Sequence, residues 1–88
     1  MIWRNRARTD LTDIIRYIAK EDPQAARRLL DRLQSAVVPL ADHPHLHRTG
    51  RVPGTRELVA HPNYVLVYRV TAEHIEIVSV LHARQEYP

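Results

Sequence analysis

Six side chains in the second half of the sequence have the chemistry needed to cleave a phosphodiester bond in RNA. They are Arg56, Glu57, Arg69, His82, Arg84 and Tyr87. Attack by a 2′-hydroxyl needs a base for the hydroxyl proton, cations that stabilise the charge on the phosphate, and an acid for the leaving oxygen. Glu57 or His82 could be the base, and Arg56 one of the cations. Arg84 could be a second cation, with Tyr87 or His82 as the acid. The spacing alone leaves a purely structural role open for each residue.

Arginine dominates the positive charge of the chain. Twelve of the 13 lysine and arginine residues are arginine, and the formal net charge is +3. A guanidinium presents a planar fork that suits phosphate and carboxylate groups. A solvated surface and an anionic partner, either nucleic acid or an acidic protein segment, explain this composition equally well. If there is such a partner, the residues predicted to contact it are Arg48, Arg51, Arg56, Arg69 and Arg84.

Size and composition indicate one small domain spanning residues 1–88. A chain of 88 residues cannot bury two separate cores, and it has no cysteine to supply disulfides. The absence of cysteine suits a reducing compartment. No apolar run approaches the roughly 20 residues that span a bilayer, and the N-terminus lacks the apolar segment of a signal peptide. We therefore predict a soluble, cytoplasmic protein that does not bind a membrane.

Three histidines alternate in the loop over residues 43–53. His43, His45 and His47 stand in the sequence H-P-H-L-H. Imidazole is a common metal ligand, but three ligands from one flexible segment would need a matching geometry, and no thiolate stands nearby. We predict a solvated loop with no metal, and no cofactor anywhere in the chain.

The second half of the chain predicts three antiparallel strands. Residues 56–60 and 64–70 are rich in β-branched and aromatic side chains, and His61-Pro62-Asn63 between them is a turn sequence. The run 64–70 is apolar on both faces except for Arg69, which predicts an inner strand. Residues 71–73 form a second tight turn, and residues 74–81 a second inner strand. Residues 82–88 follow as a tail without evident structure.

The first half predicts an edge strand and a helical hairpin. Residues 1–5 are the edge strand, and Thr9 and Asp10 suit the first turn of a helix that ends near Asp22. Pro23 begins a second helix, which Pro39 loosens in its last turn before residues 42–44 end it. Each helix has one apolar stripe, so the two should pair and pack on the sheet. The fold class is α+β: an N-terminal edge strand and an antiparallel helical hairpin on a twisted antiparallel β-sheet.

Several segments carry a resemblance to a known family. VPGTRELVAHPNYVLVYRV, IEIVSVLHA and DPQAARRLLDRLQSAVVPLADHP resemble the RelE/ParE toxins of type II bacterial toxin–antitoxin systems, and together they cover nearly the whole chain. The resemblance implies a toxin that inhibits bacterial growth. It also implies a cognate antitoxin whose disordered C-terminal segment folds on the toxin, so that the two form a hetero-oligomer. The segment could lay a helix against the helical hairpin or add a strand to an exposed edge of the sheet.

The resemblance extends unevenly to the ribonuclease branch of the family. In that branch the strand matching residues 64–70 has a catalytic arginine just after the first tyrosine, where this chain has Val65. Two lysines of the preceding strand correspond here to Arg56 and Leu58. The catalytic tail of that branch is longer and more basic than residues 82–88. An apolar Val65 cannot stabilise a phosphate, so the resemblance favours the ParE branch.

The ParE branch implies a non-enzymatic inhibitor that poisons DNA gyrase by trapping broken DNA. The segments RVPGTRELVAHPNYVLVYRV and LHARQEYP are similar to ParE-like sequences. By this interpretation the arginines bind and no catalytic site exists. The alternative is a RelE-like endoribonuclease that cuts mRNA on the ribosome. A third alternative, an inert remnant, predicts that overexpression has no effect on growth.

Overall fold

The computed structural model describes residues 1–87; Pro88, the end of the predicted tail, lies outside them. The strands are β1 (Ile2–Trp3), β2 (Arg56–His61), β3 (Tyr64–Val70) and β4 (Ile75–His82). The helices are α1 (Asn5–Ala19) and α2 (Pro23–Ala36), and a 3₁₀ turn over Val38–Ala41 follows them. This arrangement confirms the predicted fold class, with a helical hairpin packed on a sheet.

The sheet has the order β1-β4-β3-β2, which confirms β3 and β4 as inner strands and β1 as an edge strand. The bounds of β3 are those predicted from its apolar run. The expectation of a wholly antiparallel sheet was wrong, because β1 runs parallel to β4. Parallel strands need a long connection between them. The connection from β1 to β4 contains the helical hairpin, followed by β2 and β3.

The first helix begins four residues earlier than Thr9, so the predicted helix start was wrong. Asn5 opens α1, and no side chain caps this end. Asp10 therefore lies inside the helix, where its Oδ2 accepts hydrogen bonds from Ser79 Oγ at 2.8 Å and from the Val80 backbone N–H at 3.0 Å. The pairing of β3 with β4 is irregular beside these donors. Asp10 thus joins α1 to β4 instead of capping a helix.

Proline positions the start of α2 as the sequence predicts, but the prediction that the helix continues to residues 42–44 was wrong. Asp22 accepts the Ala25 backbone N–H at 3.0 Å, and Pro23 occupies the first helical position. The α-helix ends at Ala36, and Pro39 lies in the 3₁₀ turn beyond it. Pro39 has no N–H for the carbonyl four residues earlier, so the α-helix cannot continue through it.

The main core lies between the helices and one face of the sheet. Its buried apolar residues include Ala7, Leu29, Leu33, Leu40, Leu58, Leu66, Tyr68 and Ile77. The predicted stripe of α1, which contains Leu11, Ile14, Ile15 and Ile18, packs half-buried against this cluster. Within residues 1–87, no helix is long and apolar enough to cross a membrane.

Glu76 is a buried charged residue in β4. The residue as a whole is only 8% exposed. The carboxylate meets His74 Nε2 at 2.8 Å and Arg4 Nε at 3.3 Å. The hydrogen bond with His74 lowers the pKa of Glu76; burial opposes the change, and the nearby charge of Arg4 adds to it. Glu76 therefore links β4 to the segment that joins β1 to α1.

Candidate functional site

The two faces of the inner strand β3 meet different surroundings. Leu66 and Tyr68 belong to the core beneath the helices. Val65 and Val67 alternate with them, so they lie on the opposite face of the sheet. In the register with β2, Glu57 lies beside Val67 on that opposite face. Two of the predicted chemical residues, Glu57 and Arg69, lie on this opposite face.

Glu57 is the centre of this face. Its side chain is only 3% exposed. Arg48 Nη2 lies 3.2 Å from Oε1, and Arg51 Nε lies 3.1 Å from Oε2. The Arg51 backbone N–H also donates to Oε2 at 2.9 Å. One buried carboxylate thus organises the loop that precedes β2.

The surroundings keep Glu57 ionised. Burial by itself would raise the pKa of this carboxyl group, but the hydrogen bonds from the backbone and side chain of Arg51 act against burial. The charges of Arg51 and Arg48 act in the same direction, and the net effect lowers the pKa below its ordinary value. A proton acceptor near neutral pH needs a raised pKa instead, so this geometry favours a structural anion over a general base.

Arg51 also reaches the C-terminal segment. Its Nη1 donates to the Gln85 carbonyl at 3.4 Å, and its guanidinium carbon lies 5.7 Å from the centroid of the Tyr87 ring. This distance is within the range of a cation–π contact. Arg51 therefore bridges Glu57 on β2 and the segment over residues 83–87.

The C-terminal segment has no helix or strand, but it is held in place by hydrogen bonds. His82, predicted to begin the tail, is instead the last residue of β4. The Ala83 N–H donates to the Asn63 carbonyl at 2.7 Å, and the Gln85 N–H donates to the His82 carbonyl at 2.9 Å. These bonds turn the chain back over the end of the hairpin. The contact from Arg51 then fixes the segment at a second place.

Two imidazoles flank Tyr64 at this end of the sheet. The ring centroid of His61 lies 5.6 Å from that of Tyr64. The ring centroid of His82, which pairs with Tyr64 across β3 and β4, lies 5.5 Å from that of Tyr64. His61 Nδ1 accepts the Asn63 backbone N–H at 3.0 Å, and His82 Nδ1 accepts the Arg84 backbone N–H at 3.1 Å. In the neutral imidazole each Nε2 then carries the hydrogen and can act only as a donor.

The predicted nuclease residues are not gathered around one point. Arg56 pairs in register with Tyr68, whereas His82 pairs with Tyr64. Four residues of an extended strand span about 13 Å. Arg56 also lies on the helix-covered face, where its Nη1 donates to the His47 carbonyl at 2.7 Å and to the His45 carbonyl at 3.3 Å. Arg56 and His82 are therefore too far apart to act on one phosphate.

The histidine loop serves the fold through its backbone. Besides the two carbonyls that hold Arg56, the Pro44 carbonyl accepts the Tyr68 hydroxyl at 2.9 Å. Burial raises the pKa of Tyr68, while the charge of Arg56 acts against this change. Within residues 1–87, no group of three or more histidine, aspartate or glutamate side chains is arranged to hold a metal ion.

The five predicted binding arginines fall into two groups. Arg48, Arg51 and Arg56 hold parts of the fold, as described above. Arg69 and Arg84 are exposed, and within residues 1–87 their guanidinium groups make no ion pair or side-chain hydrogen bond. Arg69 lies on the same face as Glu57, and Arg84 lies in the segment that Arg51 holds. These two arginines are the ones free to meet an anionic partner.

A groove between the helices was missed by the sequence reasoning. It is open, has a volume of about 530 Å³, and is lined by Trp3, Arg8, Leu11, Thr12, Ile15, Arg16, Leu30 and Gln34. Apolar atoms make up most of its lining, and Arg8 and Arg16 add positive charge to it. The signal in the sequence was the spacing of Arg8, Thr12 and Arg16, which places one polar row on α1 beside the apolar stripe. Such a groove suits an amphipathic segment with acidic side chains.

Comparison with known proteins agrees with this fold. A solved structure of the chromosomal ParDE toxin–antitoxin system from P. aeruginosa superposes with a TM-score of 0.81 at 24% identity, covering 91% of this chain and 90% of that one. At this identity the likeness concerns the fold. The chain thus has the fold of a protein from a toxin–antitoxin system.

Sequence comparison then shows the family. The model of the ParE toxin of the type II toxin–antitoxin system parDE matches residues 1–87. Y4kP of Sinorhizobium fredii is 44% identical over 87 residues, covering 98% of this chain and 90% of the relative. Toxin RelE2 of Caulobacter vibrioides is 40% identical over 83 residues, covering 94% of this chain and 93% of the relative. The chain belongs to the ParE toxin family of toxin–antitoxin systems, and this membership implies an antitoxin as its partner.

Proposed function

We propose that this protein inhibits bacterial growth by poisoning DNA gyrase in the manner of ParE, and that a cognate antitoxin neutralises it. The observation that carries the proposal is the match of the ParE toxin model to residues 1–87. The protein would act without an enzymatic site. Gyrase is a cytoplasmic target, so we expect the protein to act there.

The position of Val65 supports an inhibitor over a nuclease. Where the ribonuclease branch has a catalytic arginine, Val65 is 3% exposed and pairs with Val59 on one side and Leu81 on the other. A buried valine between two apolar neighbours leaves no cation for a phosphate. The separation of Arg56 from His82 and the lowered pKa of Glu57 point in the same direction.

Arg69 and Arg84 are the residues that we propose for contact with the target. Both are exposed, and within residues 1–87 their guanidinium groups have no protein partner. A guanidinium can pair with two oxygens of a carboxylate or phosphate, on the enzyme or on the DNA it holds. The side chain of Arg48 is 61% exposed, so it can add to the positive electrostatic potential around these two arginines while it pairs with Glu57.

The antitoxin would bind the groove between the helices. An antitoxin segment that is disordered alone could fold there as a helix, with its apolar side on Leu11, Ile15 and Leu30 and acidic residues near Arg8 and Arg16. Charge reversal of both arginines to glutamate should weaken the complex by at least tenfold and leave growth inhibition intact. Isothermal titration with the antitoxin encoded beside this protein would measure the change.

A paired assay tests the target. Purified protein is expected to block supercoiling by gyrase, or to stabilise cleaved DNA, and to leave ribosome-bound mRNA intact. The Arg69→Ala, Arg84→Ala double variant should lose most of this inhibition. Arg27→Ala, which removes an exposed arginine from α2, is the matched control and should inhibit like the unchanged protein.

The alternative is a RelE-like endoribonuclease that acts on the ribosome. It is favoured by the names of two relatives, toxins RelE2 and RelE3 of Caulobacter vibrioides, and by the cluster of His61, Tyr64 and His82. Cuts at fixed codon positions in translated mRNA, lost in the His82→Ala, Arg84→Ala double variant, would establish this function. Gyrase inhibition without such cuts would exclude it.

A further inference from the structure

We propose that Arg51 is a positioning residue: clamped by Glu57, it fixes the C-terminal segment over residues 83–87 so that Arg84 is presented to the target. The proposal rests on the proposed function in its final step only, since the fixing of the segment is a property of the fold. It assigns Arg51, which the sequence suggests as a contact residue, to the support of another arginine.

Arg51 is committed on two sides. Its backbone N–H and its Nε donate to Glu57 Oε2 at 2.9 and 3.1 Å, and its Nη2 lies 3.5 Å from Oε1. Its remaining terminal nitrogen, Nη1, donates to the Gln85 carbonyl. The ring of Tyr87 lies beside the same guanidinium. The fork of a guanidinium allows it to meet a carboxylate and a carbonyl together, which a lysine cannot do in the same geometry.

Arg48 provides an internal comparison. It pairs with the same carboxylate of Glu57 at 3.2 Å, but its side chain is 61% exposed, whereas that of Arg51 is 39% exposed. Within residues 1–87, Arg48 makes no side-chain hydrogen bond to the segment after β4. The two arginines thus share one partner and differ in whether they hold the C-terminal segment.

Arg84 lies between the two places where the segment is fixed. On its N-terminal side, the Ala83 N–H is bonded to the Asn63 carbonyl, and on its C-terminal side the Gln85 carbonyl is bonded to Arg51. A short segment held at both ends has few conformations left. Binding through Arg84 then loses less conformational freedom, which raises affinity without any added contact.

Limited digestion with trypsin tests the fixing of the segment directly. Trypsin cuts after arginine, and cleavage after Arg84 releases residues 85–88, a loss that intact-mass measurement detects. Arg51→Ala should speed this cleavage about fivefold, as expected for the loss of one typical hydrogen bond. Arg48→Ala should stay within about twofold of the unchanged protein, since it loses a bond to the same carboxylate and none to the segment.

Tyr87→Ala tests the contact between Arg51 and the C-terminal segment by changing the segment instead of Arg51. It leaves the loop around Glu57 untouched and removes the ring beside Arg51, so cleavage after Arg84 should also become faster. The melting temperature of each variant distinguishes release of the C-terminal segment from unfolding of the whole domain. A positioning role predicts faster cleavage at an almost unchanged melting temperature. Equal cleavage rates in Arg51→Ala and Arg48→Ala would overturn the proposal.

The gyrase assay tests the consequence. Arg51→Ala should raise the concentration needed for half-inhibition of supercoiling, in step with the release of the segment. Weaker inhibition with the segment still protected would show that Arg51 contacts the target itself and would overturn the positioning role. If the unchanged protein does not inhibit gyrase while the cleavage pattern is as expected, the proposed target is wrong and the fixing of the segment stands.

Discussion

The two faces of the sheet are buried by different chemistry. Beneath the helices, Leu33, Leu40 and Leu66 are fully buried in one apolar cluster. On the opposite face, Val65, Val67 and Leu81 are also buried. That face differs in holding two buried carboxylates, Glu57 and Glu76, which pair with arginine side chains that remain partly exposed. Apolar packing is close to independent of pH and salt, whereas ion pairs with exposed partners depend on both. The stability that the opposite face contributes should therefore depend more on pH and salt, because its buried carboxylates pair with exposed cations.

This division bears on Arg69 and on the C-terminal segment. The side chain of Arg69 is exposed to water and therefore needs no protein partner, although it lies beside the pair of Arg4 and Glu76. The C-terminal segment is also mostly exposed to water, so it depends on a few polar contacts, chiefly those of Arg51. Segments with few buried apolar contacts open most readily, and binding surfaces are drawn from them.

The strongest test of the comparison is a cavity on the helix-covered face. Leu33→Ala should lower the free energy of unfolding by about 3 kcal/mol, because Leu33 is fully buried and the helices cannot collapse into the space. Chemical denaturation measures the change. Leu46→Ala, at a side chain that is 70% exposed, should shift it by less than about 0.5 kcal/mol. Similar losses at the two leucines would show that the core is not where we place it.

Removal of the central carboxylate tests the opposite face. Glu57→Ala should cost about 2 kcal/mol, less than a buried ion pair can cost because water still reaches both arginines. The loss should shrink in 1 M salt, where exposed charges are screened. Glu86→Ala, at an exposed glutamate, is the control and should be neutral. If Glu57→Ala lowers the free energy of unfolding by the same amount in 1 M salt, the ion pairs of Glu57 are not what stabilises this face.

The polar link on the helix-covered side should matter less. Asp10→Asn keeps one acceptor oxygen for the two donors of β4, Ser79 Oγ and the Val80 N–H, but it removes the charge. We expect a loss of about 1 kcal/mol in the free energy of unfolding. Asp13→Asn, one turn further along α1 and exposed, should leave stability unchanged. A larger effect at Asp13 would show that charge on α1, and not the link to β4, is what stabilises the helix.

The smallest effect concerns pH. The pKa values of Glu57 and Glu76 are lowered in the folded protein, so the unfolded chain binds protons first as the pH falls. The stability they contribute is complete above the ordinary glutamate pKa of 4.5 and is lost as the pH drops through the lowered values. Denaturation followed from pH 6 to pH 3 should show this decline, and Glu57→Gln should flatten it. If Glu57→Gln leaves the dependence of stability on pH unchanged, the pKa of Glu57 is not lowered in the folded protein.

The predictions from sequence succeeded where a local pattern repeats. The apolar run over residues 64–70 predicted both the bounds and the inner position of β3, and Pro23 marked the start of α2. Periodicity and proline act on the residues beside them, so one sequence suffices. The start of α1 was misplaced because Asp10 resembles a cap, whereas its partners, Ser79 and Val80, lie far away in the chain.

The sequence by itself determined the helical hairpin, the three-stranded meander and the resemblance to the ParE toxins, since each rests on the order of residues along the chain. Only the tertiary structure decided which charged residues are engaged. Glu57, Arg48 and Arg51 became one buried cluster, Arg56 and His82 were placed at different ends of the sheet, and the groove beside Arg8 and Arg16 was revealed. The reason is physical: an ion pair or a groove depends on which distant residues meet, and that distance is set by packing.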